Sequence, residues 1–119
     1  MKFMIFYYLD ENVWANASND AFTQARIDHD AFVARALELG GPVVSSQGFG
    51  SRTAYKSLRR DGVADGPFVP GDQQIGAYYI VEARDLDHAV DVARELRFHD
   101  GDFGFEVRSM LDADDYPVI

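Results

Sequence analysis

From residue 2 to residue 9 apolar side chains occupy both alternating sets, Phe3, Ile5, Tyr7 and Leu9 on one side and Met4, Phe6 and Tyr8 on the other. That pattern predicts a β-strand covered on both faces. The period then changes. Phe22, Ala25, His29, Phe32, Val33, Ala36 and Leu37 recur at helical spacing, Ser18 offers an N-cap hydroxyl with Asp20 behind it, and Gly40-Gly41-Pro42 supplies a stop. These predict a helix running to about Leu39 with one apolar stripe. Residues 43–49 and 53–58 read as strands joined through a glycine-containing turn, and residues 59–75, punctuated by Asp61-Gly62 and Asp65-Gly66-Pro67, read as an irregular excursion of the length seen in binding loops. Residues 76–83 alternate as a further strand, Asp85 caps a second helix with the stripe Leu86, Ala89, Val90, Ala93 and Leu96, and residues 103–110 form a last strand.

The order is β-α-β-β-β-α-β, reducing to β-α-β-β-α-β if the two middle strands form one bent hairpin arm. This is the split βαβ pattern of a ferredoxin-like α+β sandwich with an antiparallel sheet. Two helices cover one face of such a sheet. Strands that are apolar front and back therefore predict a second copy on the other face, a homodimer joined sheet to sheet.

Composition narrows the picture. At 119 residues, 47% hydrophobic and 13% aromatic, the chain is one folded domain spanning 1–119, with no internal repeat. A formal net charge of −9 repels polyanions, so nucleic acid is not an expected partner. With no cysteine, thiolate catalysis and thiolate metal sites are excluded. The opening apolar run ends at Asp10-Glu11 without a cleavage site, and no other run approaches membrane-spanning length, so a cytoplasmic protein without membrane association is expected.

Asp65-Gly66-Pro67-Phe68, then residues 74–80 reading Gln-Ile-Gly-Ala-Tyr-Tyr-Ile, then Asp85-Leu86-Asp87-His88-Ala89, resemble the YCII-related family and specifically its DGPF branch. Met1-Lys2-Phe3-Met4, Trp14 and Glu106-Val107-Arg108 extend the likeness over nearly the whole chain. The resemblance implies a dimeric α+β barrel of two ferredoxin-like subunits, with a cavity in each between sheet and helices. It also implies an acid–base role for His29, which matches a helix-1 histidine of the YCII branch. After Phe68 the chain departs from the branch. Where relatives carry Glu-Thr-Lys-Glu after a small residue, this chain reads Val69-Pro70-Gly71-Asp72-Gln73-Gln74, so any ligand held by those charges in relatives is not held the same way here.

His29 is the sharpest chemical candidate, because an imidazole on an apolar helix face can exchange protons near neutral pH when a neighbour orients it. Asp65 is the acid expected to do so. The competing readings are a core histidine bonding a carbonyl and an aspartate closing its own turn. Arg52, with Arg59 and Arg108, offers a planar fork for a carboxylate or phenolate, or a solvated strand-end charge. Tyr8, with Tyr78 and Tyr79, suits an aromatic or small polar ligand, or core packing. Phe68 is placed to act as a lid or as a loop anchor. His29-Asp30 and His99-Asp100-Gly101-Asp102 lack the spacing of a metal loop, and no phosphate cradle, nucleophile elbow or dinucleotide fingerprint is present, so neither metal nor cofactor is expected. Two functions stay open. One is a small-molecule enzyme using a histidine general acid–base, and the other is a non-catalytic small-ligand-binding or regulatory dimer module.

Overall fold

The computed structural model describes residues 1–50, 54–112 and 114. Four strands form the main sheet: β1 (Lys2–Asp10), β2 (Val43–Gly48), β5 (Gln73–Glu82) and β6 (Asp102–Ser109), in the order β2-β5-β1-β6. Every neighbouring pair is antiparallel, with Ile5 opposite both Tyr79 and Val107. Three helices accompany it: α1 (Glu11–Ala15), α2 (Asn19–Glu38) and α3 (Leu86–Ala93). The protein is thus α+β with an antiparallel sheet. Among the described residues no helix is long and apolar enough to cross a membrane.

The two faces of β1 are unequal. Phe3 and Ile5 are buried against Phe32 and Ala36 of α2 and Ala89, Val92 and Ala93 of α3, with Tyr79 and Val81 beside them on β5. Met4, Phe6 and Tyr8, pointing the other way, remain partly exposed. Both long helices therefore shelter the face that carries Phe3 and Ile5.

The caps fall where the sequence places them. Ser18 Oγ accepts from the Ala21 amide at 3.1 Å and Asp85 Oδ1 from the His88 amide at 2.8 Å, each satisfying a donor that the first helical turn leaves unpaired. Gly40, at φ +73°, ends α2 in the left-handed conformation that glycine adopts without strain. Three expectations need correction. The apolar stripe of α2 is narrower than its spacing suggests: Phe32 and Ala36 are buried, but Phe22 is exposed, and Leu37, about 100° round the helix from Ala36, faces solvent. Of the strand expected at 53–58, whose first residue lies outside the described residues, Lys56–Leu58 are found as strand, in β3 (Lys56–Arg59), which pairs with Gly62–Asp65 (β4) in a separate hairpin. The segment from 59 onward is consequently not irregular throughout, since Arg60 and Asp61 make a two-residue turn and Gly62, at φ +145°, closes it. Finally α1, unforeseen in the sequence, opens with the Asp10 carboxylate accepting from the Asn12 amide at 2.9 Å.

Candidate functional site

A cavity of about 260 Å³ lies between α2 and the helix-covered face of the sheet. Its walls are Tyr7 and Leu9 of β1, Gly76, Ala77 and Tyr79 of β5, Gly48 at the end of β2, Ala25, Asp28 and His29 of α2, Trp14 of α1, and Leu96, Arg97 and His99 on the way from α3 to β6. Most of that surface is apolar.

His29 is held by Tyr79. The ring Nδ1 is 2.8 Å from the Tyr79 hydroxyl, and the two rings stack with centroids 5.4 Å apart. Burial pushes the Tyr79 hydroxyl up to about 12, so it stays protonated and can either donate to Nδ1 or accept from it as the hydroxyl rotates. Both neutral tautomers of His29 are thereby accommodated. Among the described residues no hydrogen bond engages Nε2, and the His29 side chain is part of the cavity wall.

His99 is placed differently. Its Nε2 is 2.7 Å from Asp28 Oδ2, and its Nδ1 is 3.2 Å from Asp102 Oδ2. Both ring nitrogens are thus engaged by carboxylates, and neither is left for a ligand. The Asp102 side chain is fully buried and also accepts from the His99 amide at 2.7 Å, from Trp14 Nε1 at 3.0 Å and from the Tyr7 hydroxyl. Burial first, and then the hydrogen bond to Asp102, push the Tyr7 hydroxyl far above the ordinary tyrosine range, so Tyr7 acts as a donor. Asp102 thus bolts β1, α1 and the turn before β6 together at one end of the cavity.

The third histidine, His88, is structural. The Arg84 amide donates to its Nδ1 at 3.1 Å, which fixes the proton on Nε2, and Nε2 donates to the Leu39 carbonyl at 2.8 Å. Of the three rings, only His29 combines an oriented nitrogen with one that is free.

Asp28 titrates below the usual carboxylate range, chiefly through its hydrogen bond with His99; partial burial opposes this and the Gln24 amide, 3.0 Å away, adds to it. A carboxylate depressed by folding stabilises the native state above its unfolded pKa, and that contribution is lost as pH falls through the folded value. The stability difference between the wild type and Asp28→Asn is therefore expected to be present at pH 5 and to shrink below about pH 4, the unfolded carboxylate range. Urea unfolding across that range checks this, and a pH-independent difference would contradict it.

The other expected site residues do not converge on His29. Asp65 ends β4 with its carboxylate on Lys56 Nζ at 2.5 Å, in the exposed hairpin and outside the walls of the His29 cavity, so Tyr79 rather than Asp65 orients the imidazole. Tyr8 and Phe68 border a second hollow of about 810 Å³ reached from the opposite face of β1. There the Tyr8 hydroxyl donates to Glu106 at 3.3 Å, and the Phe68 ring lies 4.4 Å beneath the Arg59 guanidinium. Arg52 lies outside the described residues. Sequence reasoning did not single out Asp28, placed Tyr7 only in a strand, and weighed His99 and Asp102 only as a run without metal-loop spacing. Asp28 meets His99 across 71 positions, a separation that carries no periodic signal. Among the described residues no group of three or more histidine and carboxylate side chains is arranged to hold a metal ion.

No family model matches the sequence. Over 117 residues it is 30% identical to the uncharacterized protein R00369 of Rhizobium meliloti (strain 1021), an alignment that covers 92% of each chain. The chain belongs to the family of that protein.

Proposed function

We propose that the cavity at His29 is an acid–base site for a small molecule, in a YCII-related protein of the DGPF branch. The observation that carries this reading is His29 itself, on the wall of a largely apolar cavity, fixed through Nδ1 by a protonated tyrosine while Nε2 has no hydrogen-bond partner among the described residues. A neutral phenol as the orienting partner lets the ring take up or release a proton at Nε2 without a fixed charge favouring one state. The DGPF turn, at Asp65 to Phe68, contributes the flap over the other face of the sheet rather than a group beside His29.

His29→Gln keeps a hydrogen-bonding side chain but cannot exchange a proton. Screened against small ring and carbonyl compounds, it is expected to lose about 10²- to 10⁴-fold in turnover of any substrate the wild type converts, with binding nearly unchanged. Saturable binding without turnover, and with the same affinity in His29→Gln, would make the protein a non-catalytic ligand-binding module instead.

The same proposal includes a ferredoxin-like subunit pairing into a dimeric α+β barrel. Support comes from the strand order with both long helices on one face, and from Met4, Phe6, Tyr8, Tyr78 and Ile80, partly exposed on the other. Sedimentation equilibrium is expected to return twice the mass of one chain. A monomer at high concentration would remove the barrel from the account.

A further inference from the structure

We infer that Gly48 sets the size of what the His29 cavity admits, and that the ligand is an uncharged single planar ring bearing a hydroxyl or carbonyl; this rests on reading the cavity as the His29 site. The hollow exists because three small residues meet there. Gly48 and Ala77 are register partners on neighbouring strands, so they share a face of the sheet, and Ala25 of α2 borders the same space.

Nothing in the fold requires glycine at position 48. A Cβ built there meets no heavy atom within 4 Å, and its backbone is not in the left-handed region. Gly76, also on the cavity wall, is the opposite case: a Cβ there would come within 2.2 Å of Leu9 Cδ2, so packing accounts for it. The consequence of glycine at 48 is open space beside Ala77.

The walls define what fills that space. A cavity of about 150 Å³ lined by apolar side chains takes up benzene. One of about 260 Å³, flanked by the rings of Tyr7, Trp14 and Tyr79, has room for a single ring with one or two substituents. The charged side chains of the wall are already paired. Asp28 is already engaged by His99 and Gln24, with Arg97 3.9 Å away, and the net charge of −9 repels anions at a distance. The remaining polar demand is His29 Nε2, which a ring hydroxyl or carbonyl meets.

Phenol is the probe, and the fluorescence of Trp14, the one tryptophan of the chain and part of the cavity wall, is the readout. The wild type is expected to give a saturable change. Gly48→Val is expected to weaken phenol at least tenfold with an unchanged melting temperature, and Gly48→Ala to fall between; should the valine variant fold poorly, the alanine variant decides. Equal affinity in the wild type and the folded variants would overturn the role of Gly48 while leaving the acid–base reading intact. No saturable change in the wild type would overturn the ligand class, and the His29→Gln turnover comparison would then judge the acid–base reading separately.

Discussion

Asp102→Ala is expected to lower the free energy of unfolding by about 3 to 5 kcal/mol, the range found when one partner of a buried charged network is removed. Its carboxylate is the common acceptor for the Tyr7 hydroxyl, the Trp14 indole N–H and the His99 amide; the last two lose their acceptor outright, and the Tyr7 hydroxyl keeps only His99 Nδ1 at 3.3 Å. Since a domain of this size is held by only about 5 to 15 kcal/mol, the variant should be close to unfolded at moderate temperature. Asp102→Asn, which retains one acceptor oxygen, should fall between. Chemical unfolding measures both, and a loss below about 1 kcal/mol for the alanine variant, the worth of one ordinary hydrogen bond, would show that the network contributes little.

The second large effect is expected at Phe32. This ring is 2% exposed and meets Tyr79 edge to face with centroids 4.9 Å apart, one helical turn beyond His29. Phe32→Ala should cost about 3 to 5 kcal/mol, combining lost transfer energy with the void left behind. It should also loosen the Tyr79 ring that orients His29. Phe32→Leu keeps most of the volume and should cost less. Thermal unfolding gives the stability change, and the Tyr79 ring signals in NMR report the loosening. A variant as stable as the wild type would mean that the core closes around the missing ring.

Much of the fold was legible in the sequence because it rests on short-range rules. Ser18 and Asp85 each announce a helix through an oxygen that can reach a free amide three residues on. The alternation in β1 and β5 identifies the strands, but apolar residues in both sets of β1 left open which face the helices shelter; they cover Phe3 and Ile5, while Met4 and Phe6 are partly exposed. The β3–β4 hairpin was obscured because Asp61-Gly62 reads equally as a loop signal and as a hairpin turn, and only the pairing of Lys56 with Asp65 distinguishes them.

The site was legible in one residue and hidden in its partners. His29 stands out as a lone imidazole among apolar helix positions. Its orienting group was sought among acids, whereas the structure supplies a tyrosine from a strand fifty residues away. Adjacent positions on a helix point about 100° apart, so Asp28 turns to His99 while His29 turns to Tyr79. A single sequence contains no trace of such a division.

The three histidines differ in availability, and limited acylation with diethyl pyrocarbonate followed by peptide mass spectrometry measures that difference without any ligand. His29, with Nε2 unengaged, should be modified first, while His88, held between the Arg84 amide and the Leu39 carbonyl, and His99, held between Asp28 and Asp102, should resist. Modification of His99 or His88 as fast as His29 would contradict the claim that one ring is presented to the cavity and two are committed to the fold.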